Sequence, residues 1–461
     1  MGRKHYAAAL VVLLVGQAMA SMDASILVVA APSIRSSLQA SGAELQLIVT
    51  TYTLTFGALV VTGARLGDIL GRRRAFVLGL AAFTVCSLLG GLAPGAAFLI
   101  VARALQGAAA ALMTPQVLSI IQIQFDEERR ARAIGAYSMI LAVGVAAGQI
   151  LGGLLVTAHL LGAAWRPALL LNAAIGAPLL LVARRALPPM APTAEQRLDF
   201  AGAGLLAVTM LALVVPLSFG REFGWPPWSW VCLAACALLA SSFVVHERRV
   251  HQRGGDPLLE LGLLRAPRIA AGVISVLLIM SCYAGFLVSL TLHLQDGLDF
   301  TPLHAGATFA IYASGFATAS LTWTRAGDTA RARLPMLGPI FMAAALLGIG
   351  LSADDHSWST AVATPLLFAA GVGHACGFSP VAERLTDAVQ EAQAAQLSGL
   401  ILTASLVGQV VGVAAFVGVY LSAAARGSAQ GLAVTTLALC GTLALTAAVG
   451  SRSSVDNSLA S

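Results

Sequence analysis

Long apolar runs separated by short polar breaks recur along the whole chain. They lie near residues 6–30, 45–65, 75–93, 97–123, 133–157, 165–184, 198–218, 228–246, 268–292, 302–325, 334–352, 358–378, 396–422 and 431–450. An α-helix needs about 20 apolar residues to cross a bilayer core, and each run approaches or exceeds that length. No run shows the strict alternation of a half-buried strand, so the pattern predicts an all-α membrane protein with fourteen spans. An even number of spans places both termini on one side. The first run is preceded by Arg3, Lys4 and His5, and Ala18-Met19-Ala20 mimics a signal-peptidase site. The run continues past that point and contains an acid, so a retained first helix is expected.

Composition agrees with this picture. Of 461 residues, 58% are apolar and 10% charged, with a mean hydropathy of +0.85, which excludes an ordinary soluble domain. Nearly all of the 27 Lys and Arg fall in breaks on the side of the N-terminus. Only Arg35, Arg166, Arg221 and Arg426 lie on the opposite side, and Arg103 lies within a run. This bias predicts cytoplasmic termini in a cytoplasmic membrane. It also accounts for the formal charge of +6 through anionic lipid, with no nucleic-acid partner. Trp165, Trp225, Trp228, Trp230 and Trp358 fall at the outer ends of runs, where an aromatic belt is expected. The six cysteines lie in or beside apolar runs without neighbouring His or carboxylate, so packing is expected and no metal site.

Against this background a few polar positions stand out. Residues 63–74, GARLGDILGRRR, form a break too short for anything but a hairpin between two spans. Gly63, Gly67 and Gly71 repeat every fourth residue and leave a face on which another helix can approach. Asp68 beside Arg72 and Arg73 can make charge-assisted bonds and act as a latch on another helix end. Asp23 and Arg103 are ionisable groups inside runs, which is costly and marks function. Each lies roughly 10 Å from the outer boundary by helix rise, so a proton-sensitive pair is expected. Gly144, Gly148 and Gly152, with Gly153, form a second small-residue seam around Gln149. Tyr52, Asn172, Tyr283, His293, Gln295, Tyr312, His374 and Gln409 are polar groups available to line a cavity. A histidine in a span can relay protons, although His374 reads equally as a satisfied core residue.

These motifs resemble those of the major facilitator superfamily, and in particular its fourteen-span drug:proton antiporters. Residues 63–73 are similar to motif A. Arg103, Gln106 and Gly107 resemble motif B, and 144–155 resembles motif C with Gln149 where the common form has proline. The stretch 22–34 resembles the first-helix signature of the same branch. Residues 162–176 resemble the family's outer loop and sixth helix. A weak echo of motif A appears in 322–333, where Gly327-Asp328 repeats Gly67-Asp68. The resemblance implies two six-helix bundles, 1–184 and 268–461, with an inserted pair of spans in 185–267. It implies a monomeric exporter of small amphipathic organic molecules, driven by the proton gradient without a cofactor. Asp23 and Arg103 would couple the proton, and motif A would act as the latch. The lack of Asp and Glu within spans 10 and 13 fits dicationic substrates less well. Nutrient uptake by symport is the alternative. An intramembrane enzyme would need paired carboxylates or a metal constellation, and the runs contain neither.

Overall fold

The computed structural model describes residues 3–157, 165–190, 198–220, 224–259, 261–390 and 393–452. Its helices are α1 (Arg3–Leu38), α2 (Gly42–Leu70), α3 (Arg72–Gly91), α4 (Ala96–Gln124), α5 (Glu127–Thr157) and α6 (Arg166–Ala186). Then come α7 (Phe200–Phe219), α8 (Pro227–Gln252), α9 (Pro267–Leu292), α10 (Pro302–Thr322), α11 (Asp328–Leu351) and α12 (Thr360–Asp387). The last are α13 (Ala394–Gly412), continued through a π segment (Val413–Val417) and Gly418–Ala424, and α14 (Ser428–Arg452). Helix α1 runs unbroken through the Ala18–Ala20 stretch and continues well past the expected exit near residue 30.

Among the described residues, 13 helical stretches are long and apolar enough to cross a membrane. The fourteenth expected span is α10, a helix of 21 residues whose hydropathy leaves it outside that set. Its hydroxyls are neutralised locally: Thr308, Thr318 and Thr322 each donate to the carbonyl one turn back. Small residues let it pack tightly on α12, where a Cβ on Gly371 would lie 2.8 Å from the Phe316 nitrogen. Low hydropathy here reflects a helix made to pack against a helix.

The chain forms two compact units. The first comprises Met1–Asp126, Gly144–Leu261 and Gln390–Thr403; the second comprises Glu127–Val143, Gly262–Val389 and Ala404–Ser461. Within the first, α2 and α3 pack on α4, α6 packs on α3 and α1, and the inserted α7–α8 hairpin leans on α2. Within the second, α12 packs on α10 and α11, and α14 packs on α9 and α11. The unit boundaries cut through α5 and α13, so part of each of these helices packs with each unit.

Local chemistry sets the helix ends. Ser41 caps α2 in a reciprocal box, its hydroxyl accepting from the Glu44 N–H while Glu44 accepts from the Ser41 N–H. Thr301 caps α10 and Asp199 caps α7. Prolines 115, 178 and 216 sit inside helices, as membrane spans tolerate when neighbours satisfy the freed carbonyl. The tryptophans divide. Trp228 and Trp230 are exposed, as a belt requires, but Trp165 is fully buried against Ile34, Ala93, Leu99 and Leu169. Trp165 is therefore a core residue beneath the start of α6, because its ring fills the gap between α1, α4 and α6.

Candidate functional site

Five helices of the first unit converge on Asp23, which is completely buried on α1. Arg103 and Gln106 stand three apart on α4, hence on one face, and both reach it. Arg103 Nη1 donates to Asp23 Oδ2. The other carboxylate oxygen accepts from Asn172 Nδ2 of α6 at 2.7 Å and from Gln106 Nε2 at 2.9 Å. Gln106 Oε1 accepts from Arg103 Nη1 at 2.7 Å, and Gln106 Nε2 also lies 2.6 Å from Ser87 Oγ on α3. From α2, the Tyr52 ring lies 4.6 Å from the Arg103 guanidinium carbon, and its hydroxyl donates to the Ala20 carbonyl at 3.1 Å. The charges expected at matching depth are thus paired, and the pair is enclosed by amides and one hydroxyl. Breaking a buried pair costs about 3–5 kcal/mol, against about 0–1 for an exposed one, so this network dominates the local energetics.

The glycine seams position it. Across from α1, a Cβ on Gly144 would meet Ser21 Cβ at 2.7 Å, and one on Gly152 would meet the Ile26 carbonyl at 2.9 Å. Gly148 is pressed against Met22 and Ser25 in the same way, and Ser25 Oγ donates to the Val145 carbonyl at 2.8 Å. The seam therefore grips α1 on both sides of Asp23. Gly153 is half-buried, and the side chain of Gln149 lies outside the described residues. Gly107 packs against α2, where a Cβ would lie 3.1 Å from Thr55 Cβ.

The hairpin motif is mostly helical. Helix α2 continues to Leu70 and α3 begins at Arg72, leaving Gly71 alone between them at φ 85°, a conformation that favours glycine. Gly63 lies against the α4 backbone at Ala111 and Leu112, and Gly67 against the Gln116 side chain. Gln116 Nε2 donates to the Gly63 carbonyl at 2.9 Å. Asp68 is 1% exposed and accepts from Arg72 Nη2 at 3.1 Å, with Arg65 Nη1 at 3.7 Å. Arg73 Nη2 donates to the Arg184 carbonyl in the last turn of α6, a favourable place for a cation. The reach to another helix end thus comes from Arg73, while Asp68 gathers the arginines.

In the second unit Tyr312 Oη and His374 Nδ1 are 2.8 Å apart. The Tyr283 ring stacks on His374 at 5.1 Å between centroids, and Phe316 meets it edge-on at 4.6 Å. His374 Nε2 is buried without a hydrogen-bond partner among the described residues. The remaining cavity candidates sit elsewhere. His293 begins a π segment (His293–Gly297), with Nδ1 3.0 Å from Ser428 Oγ. Gln295 is half-buried in the same segment, and Gln409 donates back to Ser405 of its own helix. Tyr52 and Asn172, also read as cavity residues, belong to the Asp23 network.

Ser87, Ser25 and Gln116 were not foreseen from sequence. Each is a polar side chain within an apolar run, the signal that singled out Asp23, but without a charge to draw attention.

Helices of membrane length wrapped around a paired acid and base define a multi-pass membrane transport protein. The family profile described as Major Facilitator Superfamily matches residues 13–413, and the chain belongs to that superfamily. The probable actinorhodin transporter of Streptomyces coelicolor is 36% identical over 413 residues, covering 88% of this chain and 71% of that protein. Puromycin resistance protein pur8 of Streptomyces alboniger is 34% identical over 412 residues, covering 88% and 80%. Drug efflux pump JefA of Mycobacterium tuberculosis is 31% identical over 410 residues, covering 88% and 78%. Among solved structures, the human organic anion transporter MFSD10 aligns with a TM-score of 0.70 at 15% identity, covering 98% of this chain and 100% of the other. The proton:xylose symporter XylE aligns at 0.65 and 14% identity, covering 97% and 95%. At such identities these two report the fold alone.

Proposed function

We propose that this protein exports small amphipathic organic compounds, antibiotics among them, from the cytoplasm in exchange for protons. The observation that carries the coupling is the buried Asp23–Arg103 pair with its amide partners. An ionised carboxylate only accepts hydrogen bonds, whereas a protonated acid must also donate. One proton on Asp23 therefore removes the charge that Arg103 pairs with and adds a donor among Arg103, Gln106 and Asn172, so their hydrogen bonds must rearrange. A network with two such arrangements links proton occupancy to the population of two conformations. The seam of Gly144, Gly148 and Gly152 holds α1 at the place where that rearrangement begins. Asp68, with Arg65, Arg72 and Arg73, stabilises one of the two states by tying α2, α3 and α6 together.

The outward direction is favoured by the relatives named for resistance and efflux, puromycin resistance protein pur8 and drug efflux pump JefA. Substrate meets aromatic and neutral polar groups, Tyr283, Tyr312 and His374 among them, so flat amphipathic molecules with a hydrogen-bonding edge fit best. The transporter works as a monomer, with both termini in the cytoplasm and the proton gradient as its energy source. Proteoliposomes with an imposed pH gradient test this reading. Export predicts that a fluorescent amphipathic dye moves against the proton flow, and that an uncoupler stops it. Movement of dye with the protons would establish symport instead.

A further inference from the structure

The inserted α7–α8 hairpin contributes nothing to the Asp23 network, yet where α7 begins and α8 ends it gathers three ligating side chains. Asp199 caps α7, its Oδ1 accepting from the Gly202 N–H at 2.9 Å. Its Oδ2 lies 2.7 Å from His246 Nε2 on the last turns of α8. The adjacent Glu247 is 1% exposed. Its Oε2 accepts from the Leu259 N–H at 2.9 Å, but its Oε1 is buried with no hydrogen-bond partner among the described residues. Gly202 shows where that oxygen points. A Cβ there would strike Asp199 Oδ2 and would come within 2.7 Å of Glu247 Oε1, so both oxygens border the space above one glycine. The three ligand atoms lie within 4.8 Å of one another.

We propose that Asp199, His246 and Glu247 bind a divalent transition-metal cation of the zinc type. One imidazole and two carboxylates match the borderline ions; magnesium and calcium favour oxygen ligands throughout. Zinc bonds of about 2.0–2.2 Å set tetrahedral donors roughly 3.4 Å apart, so Asp199 and His246 would part slightly and Glu247 would close in. A buried carboxylate oxygen without a donor is costly, and a cation between the two acids removes that cost. The bound ion would join the capping residue of α7 to the end of α8. Through Glu247 and Leu259 it would also join both to the segment that leads into α9. It would brace the hairpin without touching the proposed proton site.

The test uses full-length protein without a polyhistidine tag, purified in detergent, stripped of metal and titrated with Zn²⁺ against a chromophoric chelator. One ion per chain is expected. Asp199→Asn, His246→Asn and Glu247→Gln should each weaken binding at least ten-fold. Asp199→Asn keeps a side-chain acceptor for the α7 cap, so its fold is protected. Exposed His251, beyond the cluster on the same helix, supplies the control His251→Asn, which should bind as the unaltered protein does. Zn²⁺ should also raise the melting temperature of the parent chain and not of the three variants. No bound ion, binding unchanged in all three variants, or equal loss in His251→Asn would each overturn the proposal. A loss of dye export alone would bear on the transport reading and leave this one standing.

Discussion

The pattern Gly-Asp followed by arginines occurs once in each compact unit, and the two copies have met different fates. In the first unit Gly67 is pressed against Gln116, and Asp68 is buried between Arg65 and Arg72. In the second, Gly327 has open space around it, and Asp328 is fully exposed with Arg331 3.9 Å away. The second copy has become a helix start, with Asp328 in the first turn of α11, where an acid is favourable. Arg331 turns to Glu383 at 3.5 Å and to the face of Trp323. The cores differ in the same sense: the first unit buries Asp23 with Arg103, the second a neutral Tyr312–His374 pair. A repeated sequence alone does not bury an ion pair. Close packing by glycines does, and it turns an ion pair worth little at the surface into one that costs several kcal/mol to break, about 3–5.

The sharpest way to break this contrast is to remove one polar group from each core, the carboxylate from the first and the phenol hydroxyl from the second. Asp23→Asn should reduce proton-driven dye export in proteoliposomes to background, while Tyr312→Phe should alter substrate KM several-fold and leave the dependence on the pH gradient intact. Equal loss in both would mean that coupling is not confined to the first unit. Next in size, Asp68→Ala should destabilise the purified protein by about 3 kcal/mol or more, since it strands buried arginines. Asp328→Ala should stay within about 0.5 kcal/mol, as exposed sites do, with thermal unfolding monitored by tryptophan fluorescence as the readout. A smaller difference is expected between Gly63→Ala, whose new methyl meets the α4 backbone, and Gly327→Ala, which meets nothing. The first should lower the melting temperature by several degrees, and the second should barely change it.

The smallest effect concerns Asp355, in the connection between α11 and α12. The Ala429 N–H, and after it the Ser428 hydroxyl, hold its carboxyl below the ordinary value of 3.8. A depressed carboxylate favours the folded form above its unfolded value, and the contribution fades as pH falls through the lowered one. The melting-temperature gap between the parent and Asp355→Ala should therefore be full at pH 6 and shrink below about pH 4. A gap independent of pH would remove the ionised carboxylate from the contact.

Much of this was legible along the chain. Spans follow from hydropathy because a bilayer demands length and apolarity of each helix separately. The pairing of Asp23 with Arg103 follows because two charges at one depth have few other partners. Facing is harder, since it depends on which side of a helix meets which neighbour. Hence Asn172 reads as a cavity residue in sequence and is a ligand of the Asp23 carboxylate in space. Trp165 reads as a belt residue and is a core residue for the same reason. Helix α10 falls short in hydropathy because it carries small residues that let α12 approach and hydroxyls that bond back to its own carbonyls.

Gly71 is the only residue between α2 and α3, and one residue stores no slack. The feet of the two helices therefore cannot draw apart by more than that residue spans. With Arg73 clasping the tail of α6, the ends of all three helices are held at one point.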